Sequence, residues 1–523
     1  MKKTKVRSRQ KTYTYLQLVE SVWRNGRPTH RVVANLGRED QVDPDQVDRL
    51  IRALAPYTGR EVYALEDLEL VGAREYGVVA VLEHLWQMLE LGRILAGLAE
   101  GRSFGFDVEK AVRALVYARV VAPSSDRGVV RWLKGLALPE MAGLGLHHLY
   151  RALDFLAANK EKIEARLLVV LTQKLFADVS LVLFDTTSVY FEGEGPGELT
   201  AYGYSRDKRP DRPQFVLGLL TTRNGLPLAH LLLPGNTSDL TSLKQAVDLI
   251  YDKLPVGGLV LVCDRGMVSK DNLETLDRVG IRYIVGTRLR SLASRACLAR
   301  AGRYREVEAN LKVKEVWHEG RRYIVCFNPQ EAERDRLERE GIIAHLEEEL
   351  AKGVKSLLKG AARRYVCVRE GRVELNRKAI AEDAHYDGKW VLLTTTDLPA
   401  QEVALAYKGL WRVERAFRTL KTPLEIRPVY HWNQSRVQGH VMVCVLAYLL
   451  ERLLEEKLQE KGLAMSAEEA FSLLSSLKVA EVAVGNKTVR YFSRPTGEQE
   501  AILKALGLRT PPKLETCPSI VAK

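Results

Sequence analysis

Two short stretches, Ser180–Phe184 and Leu259–Cys263, constrain this chain more than any other feature. Both are too rich in apolar residues to alternate, so neither can turn one face to water. Each reads as a strand covered on both sides. Each also ends on a carboxylate: Asp185, followed by Thr186 and Thr187, and Asp264, followed by Arg265 and Gly266. Between them Asn224-Gly225 separates two apolar runs, which predicts a hairpin, and Leu240 to Leu254 reads as a helix. A further helix to about Val279 and a strand at Tyr283 to Gly286 come next. That order describes a mixed α/β sheet whose first and later strands run parallel, because the crossover through 240–254 makes parallel pairing natural. Asp185 and Asp264 then stand at the same edge of adjacent strands. Two like charges at that range raise each other's pKa unless a cation lies between them. Mg²⁺ prefers one or two carboxylates plus water, so the pair is a seat for it.

A second stretch, Tyr407 to Lys421, reads as one helix with Tyr407, Trp411, Glu414, Phe417, Arg418 and Lys421 along one side. A solvated amphipathic helix keeps its aromatics apart from its charges. A lone acid among aromatics and cations makes sense if Glu414 points into a metal site while Arg418 and Lys421 meet phosphate. A half-buried helix with ordinary ion pairs is the plainer alternative.

The remaining chain divides by texture. Residues 1–75 hold a Lys/Arg-rich arm, read as disordered when free, and a β-hairpin about Asn25-Gly26; Arg24, Arg27 and Arg31 either grip DNA or belong to a small packing sheet. Residues 76–178 carry helical periodicity, a module that either recognises DNA or braces the domain after it. The sheet occupies 179–287 and resumes at 386–463 with the Glu414 helix, begun by Pro399, and a long amphipathic helix from Gly439 to Leu463. Residues 288–385 read as an insertion that is not part of that sheet, with β-like pieces around a charged, solvated helix near 329–359. Residues 464–523 mix helices with a β pair about Gly485-Asn486.

A chain of 523 residues with 46% hydrophobic and 28% charged residues is globular and too long for one core. Its net charge of +13 points to a polyanion, nucleic acid first. The six cysteines show no CxxC spacing, which argues against zinc and fits a reduced, cytoplasmic setting. No apolar run succeeds the basic start as a signal peptide requires, and Val441 to Leu450 is about half a membrane span.

The segments FDTTSVYF, the GYS…PQ…LGLL…GLPL…PGNTSD run, VCDRGM and YKGLWRVERAFRTLK, in that order, resemble the bacterial insertion-sequence transposases of the DDE class. The resemblance implies a ribonuclease H-like catalytic fold interrupted by an insertion domain. It implies Asp185, Asp264 and Glu414 as catalytic metal ligands for two Mg²⁺ or Mn²⁺ ions about 4 Å apart, with Asp185 bridging both. Tyr407, Arg412, Arg415, Arg418 and Lys421 become DNA contacts. The family's Tyr-Arg-Glu-Lys signature is met at Tyr407, Glu414 and Lys421, whereas Leu410 stands at the Arg position and Arg412 lies nearby on another face. The implied activity is nicking of double-stranded DNA at the element's terminal repeats and transfer of the freed 3′-hydroxyl into target DNA. The enzyme would work as a homodimer at the nucleoid. A transposase-derived DNA-binding protein without catalysis and a nuclease on the same fold are the rivals.

Other residues read more plainly. Thr186, Thr187 and Ser188 lack a base in sequence and suit packing and hydrogen bonding. The second Asp of a haloacid dehalogenase-type phosphatase is missing. His440 suits the core or a place near DNA, Trp317 suits packing rather than base stacking, and Asn236 and Asp239 suit a turn and a helix cap.

Overall fold

The computed structural model describes residues 1–8, 11–24, 26–59, 63, 67–135, 138, 141, 143–254, 258–351, 361–369, 372–484 and 487–516. Asn25, Gly485 and Asn486, the turn residues singled out in the sequence, and Cys517 lie outside the described residues. The chain forms two compact bodies. One comprises Met1–Ala73, Val479–Arg494 and Pro511–Lys523, the other Arg74–Lys478 and Pro495–Thr510.

In the smaller body β1 (Lys2–Ser8), β2 (Lys11–Arg24) and β3 (Arg27–Arg38) form an antiparallel sheet in that order. The basic arm expected to be disordered is thus a strand, running from the pair Lys2↔Gln17 to Ser8↔Lys11. Pairing is made by backbone groups, and β2 would otherwise leave a bare edge beside β3. Lysine and arginine side chains cost such a strand little, because almost all of them stay in solvent. Arg24 and Arg27 face each other at the hairpin tip, and Arg31 pairs with Glu20 at 2.7 Å. Helix α1 (Pro44–Leu54) is next, with the Asp43 side chain accepting from the Asp45 amide and Pro44 opening the helix. Strand β4 (Leu68–Glu75) comes after it.

The larger body begins with α2 (Gly77–Met88), α3 (Leu91–Ala99), α4 (Val108–Val121), α5 (Asp126–Trp132) and α6 (Leu146–Gln173), the helical run that the periodicity predicts. Then come β5 (Leu181–Tyr190), β6 (Gln214–Thr222), β7 (Pro227–Pro234), α7 (Asp239–Lys253), β8 (Val260–Cys263), α8 (Lys270–Val279) and β9 (Arg282–Gly286). Strands β5, β8 and β9 are parallel, and β6 and β7 return antiparallel on the other side of β5. Helix α7 supplies the expected crossover.

From α9 (Leu292–Ala299) the chain forms β10 (Arg305–Glu308), β11 (Leu311–His318), β12 (Arg321–Phe327), α10 (Pro329–Ala351), β13 (Val366–Arg369), β14 (Arg372–Leu375), α11 (Arg377–Ala384) and β15 (Lys389–Thr394). The sheet is mixed and nine-stranded, in the order β10-β11-β12-β15-β9-β8-β5-β6-β7. Strands β10 to β12, expected to lie outside the sheet, extend it. Strand β15 returns antiparallel to β9 and offers its other edge, which β12 takes from Arg322↔Thr394 to Phe327↔Lys389. The short hairpin β13–β14 stays a sheet of its own. Trp317, expected to pack, keeps 56% of its surface exposed, because it falls on the outward-facing alternation of β11.

The stretch expected to be one helix is two, α12 (Ala400–Lys408) and α13 (Trp411–Lys421), divided at Gly409-Leu410. A long helix, α14 (Gln434–Glu460), comes after them, then α15 (Ala467–Leu474), β16 (Lys478–Val484), β17 (Lys487–Phe492), α16 (Gly497–Ala505) and β18 (Leu514–Thr516). Strands β18, β17, β16 and β4 make a four-stranded sheet in that order. The long helix is not amphipathic as expected: residues 439–451 are buried on every side, against α2, α4, α6, α15 and β7. It is long and apolar enough to cross a membrane, yet 89% of its most apolar window lies inside the protein, as in a core helix.

Two contacts fix the helices, one to the sheet and one to each other. Buried Glu164 of α6 accepts from Lys160 (3.0 Å), Lys253 of α7 (2.7 Å) and the His230 amide of β7 (3.1 Å). Burial alone would raise its pKa, but His230 and the two lysines together hold it below the ordinary carboxylate range. Where α14 crosses α6, a Cβ on Gly439 would meet the Leu153 carbonyl oxygen at 2.3 Å. Gly439→Ala is therefore expected to destabilise the protein by about 1–3 kcal/mol or more through overpacking, seen as a lower urea midpoint.

Candidate functional site

Asp185 lies in the middle of β5, not at its end as the sequence suggested, because β5 continues beside β6 as far as Tyr190↔Gln214. The parallel partner is what stops. The β5–β8 ladder ends at Phe184↔Cys263, so Asp185 and Asp264 are the next residue on each strand. Neighbouring strands lie about 4.8 Å apart, which sets the two carboxylates side by side. Burial, foremost, pushes the Asp185 carboxyl up to about 6. The Thr186 amide (2.7 Å from Oδ1) and Arg206 oppose that rise, while Asp264 and Asp239 add to it.

These acids form one wall of a cavity of about 700 Å³ whose opposite wall comes from α12 and α13. Tyr407, Leu410, Trp411, Glu414, Phe417, Arg418 and Lys421 all line it. The helix break leaves this grouping intact, since α12 delivers Tyr407, the break itself Leu410 and α13 the rest. The Tyr407 hydroxyl donates to Asp264 Oδ1 at 2.9 Å and rests against the backbone of Gly286, where a Cβ would come within 2.3 Å of it. Burial and then Asp264 raise its pKa, so it remains a donor and fixes the second acid. Glu414 and Arg418 are exposed on the rim.

Two of the expected cations turn elsewhere. Arg415 pairs with Glu455 of α14 at 2.8 Å. Arg412 lies over the Trp411 ring at 5.1 Å. Burial, then Arg223 and Arg452, push its pKa down. Neither lines the cavity, and Leu410 leaves no cation at the position where the signature has one. The one-residue offset decides this: a helical step of about 100° carries residues 412 and 415 off the face that residues 414, 418 and 421 share.

The loop between β5 and β6 contributes residues that sequence reasoning missed. Arg206 donates to Thr186 Oγ1 (2.8 Å), to Asp239 Oδ1 (3.0 Å) and to the Thr186 carbonyl. Asp239, in the first turn of α7, also accepts from Thr186 Oγ1 at 3.0 Å, while Ser238 supplies the cap. Asp207 is nearly buried and accepts from Lys421 Nζ at 2.9 Å, with Arg427 Nε at 3.0 Å. Burial lowers the Lys421 pKa and Asp207 counters it. The only sequence signal was the charge density of SRDKRPDR; no spacing tied it to a particular strand. His440 is a core residue, with Nε2 3.1 Å from the Ile426 carbonyl.

Among the described residues, no three His, Cys, Asp or Glu side chains stand close enough together to hold one ion. The carboxylates share a cavity without closing into a cage. The donor set still fits a hard divalent cation: all oxygen, with two adjacent carboxylates.

Acids on a sheet facing cations on a helix across one cavity suit an anionic partner. Comparison with known proteins gives the class. Residues 178–450, just over half of the chain, match the family model described as the transposase DDE domain, and the chain belongs to that family. Residues 1–66 match the N-terminal domain of the IS1634 family transposases, which makes this an insertion-sequence transposase of the DDE class. A curated relative, y4zB, a candidate transposase of Sinorhizobium fredii (strain NBRC 101917 / NGR234), is 36% identical over 69 residues. That match spans 13% of this chain and only 19% of the relative's length. The piggyBac transposase, solved by cryo-EM as a synaptic complex with hairpin DNA, aligns with 8% identity and a TM-score of 0.40. The alignment covers 76% of this chain and 79% of that one, and at that score it fixes nothing of the fold.

The raised pKa of Asp185 has a measurable effect on stability. Its folded value of about 6 exceeds the ordinary 3.8, so the folded protein binds the extra proton between those pH values. Metal-free protein then loses stability as pH rises from about 4 to 6, by at most about 3 kcal/mol from this group. Asp185→Asn is expected to raise the melting temperature at pH 7.5 in chelator and to have little effect at pH 4.

Proposed function

We propose that this protein cuts phosphodiester bonds at the ends of its own mobile element and joins the freed 3′-hydroxyl to target DNA. The observation that carries the reading is the register of β5 and β8, which brings Asp185 and Asp264 together beneath Glu414. Divalent cations, Mg²⁺ or Mn²⁺, held by Asp185, Asp264 and Glu414 would activate the attacking oxygen and stabilise the leaving one. Tyr407 keeps Asp264 oriented through its 2.9 Å hydrogen bond. Arg418 and Lys421 hold phosphate by charge from the facing helix. The partner is double-stranded DNA, first the terminal repeats and then the target, and the basic balance of +13 favours it. Two ends must be cut together, so the working form is a homodimer, acting at the nucleoid.

In this reading the sheet from β5 to β9 with β15 is a ribonuclease H-like core, built from residues 179–287 and 386–463. Residues 288–385 are the insertion domain, some of whose strands have been annexed to the core sheet. Residues 1–75 and 76–178 are the N-terminal and helical modules that approach DNA, and residues 464–523 form a C-terminal region. Arg412 and Arg415 face away from the cavity, so any contact they make with DNA lies outside the site of cutting.

A labelled DNA fragment bearing the terminal repeat tests the reading. Wild type should nick it only with Mg²⁺ or Mn²⁺. Asp185→Asn, Asp264→Asn and Glu414→Gln should each lower the rate at least about a hundredfold, the loss of several kcal/mol of charge stabilisation, and still bind DNA. Unchanged cleavage in any variant removes that residue from the site. Binding without cleavage by wild type would leave a DNA-binding protein only. Cutting of DNA without specific ends, and no joining, would leave a nuclease.

A further inference from the structure

Beyond Lys421 lies a second cavity, of about 600 Å³, between α5, the N-terminal part of α6 and the segment that links α13 to α14. Lys421 lines both cavities, so the two share a wall. Among the described residues its lining has five cationic side chains, Arg119, Arg127, Lys421, Arg427 and Arg436, and two carboxylates, Asp126 and Glu425, while Asp207 holds Lys421 and Arg427 from behind. Arg127 is exposed and makes no ion pair among the described residues. Arg436 lies over the Tyr150 ring at 4.5 Å, and among the described residues its buried Nε finds no hydrogen-bond partner, with Asp154 3.8 Å away.

The rim of this cavity carries two large rings in water: Tyr430 is 69% exposed and Trp432 80%. Their placement comes from the backbone. Val429 bridges to Phe191 and holds the segment extended, so alternate residues face the same way. Val429 and His431 turn inward while Tyr430 and Trp432 turn out together. Among the described residues, neither ring belongs to the apolar core or packs against it.

We propose that this second cavity binds an unpaired stretch of DNA that leaves the acid cavity past Lys421. The chemistry selects that partner. Arginines and a lysine along one groove track a phosphate backbone, and paired aromatic rings stack on bases of any sequence. In a duplex the base faces are covered by their neighbours, so the rings discriminate for unpaired strand. The volume also suits one nucleotide rather than a double helix. The inference rests on the proposed reading of the acid cavity as a site that cuts DNA strands.

The test measures binding of a fluorescent single-stranded oligonucleotide and of the matching duplex to full-length protein, in chelator so that nothing is cut. One position of the single strand carries 2-aminopurine, whose emission is quenched by stacking. Wild type should bind the single strand with quenching. The double variant Tyr430→Ala/Trp432→Ala should bind it at least about tenfold more weakly, the size of one lost base stack, without quenching, while duplex binding is unchanged. Both rings are exposed, so the variant should melt as wild type does. Equal single-strand binding by the variant would overturn the proposal, as would an equal loss on duplex or a changed oligomeric state. The outcome separates from that of the nicking experiment. Metal-dependent nicking with aromatic-independent strand binding removes only this inference; aromatic-dependent strand binding without nicking removes only the catalytic reading.

Discussion

The parallel register of β5 with β8 is the constraint on which the site depends. Its last pair, Phe184↔Cys263, joins two residues that are fully buried. A slip by one position would turn every side chain of β5 to the other face, taking Asp185 away from the cavity and pushing an apolar residue into it. Because β5 is covered on both sides, such a slip has no compensating solvent face. The core thus fixes the register, and the register fixes the separation of the two acids. Tyr407 adds the remaining restraint, on the side chain of Asp264.

Against that fixed wall stands one that is held by longer contacts. Glu414 and Arg418 reach the cavity from a helix anchored by Val413, Ala416 and Leu420, all buried, while their own heads are exposed. Lys421 is held by Asp207, a residue of the loop after β5. The cavity therefore has one rigid side made by the sheet and one whose charged heads are free to move to a ligand, apart from Lys421.

The sheet was legible in the sequence because unalternating apolar runs with a crossover between them admit few arrangements. Asp185 and Asp264 drew attention because each follows an apolar run, and Glu414 because it is a lone acid among aromatics and cations. The hidden parts were facts of tertiary pairing. The N-terminal arm is polar throughout, and only the open edge of β2 makes it a strand. Strands β10 to β12 looked separate because charge surrounds them, yet β15 needed a neighbour. Arg412 and Arg415 were placed with the site by proximity in sequence, and their helical phase sends them to Trp411 and Glu455 instead. Asp207 and Arg206 could not be assigned because a loop has no period from which to read a direction.

The burial of α14 bears on how the protein is made. This helix fills the space among α2, α4 and α6, which are synthesised long before it. Domains that fold as they emerge need their core partners early. Here the N-terminal helices keep apolar faces uncovered on the ribosome until Gln434–Glu460 has been translated, and contacts so distant in sequence form slowly. A chain truncated before residue 434 would carry both aspartates and Glu414 but lack the buried helix on which α2, α4 and α6 pack. A frameshift or early stop in such a gene thus yields an aggregation-prone fragment rather than a partial enzyme.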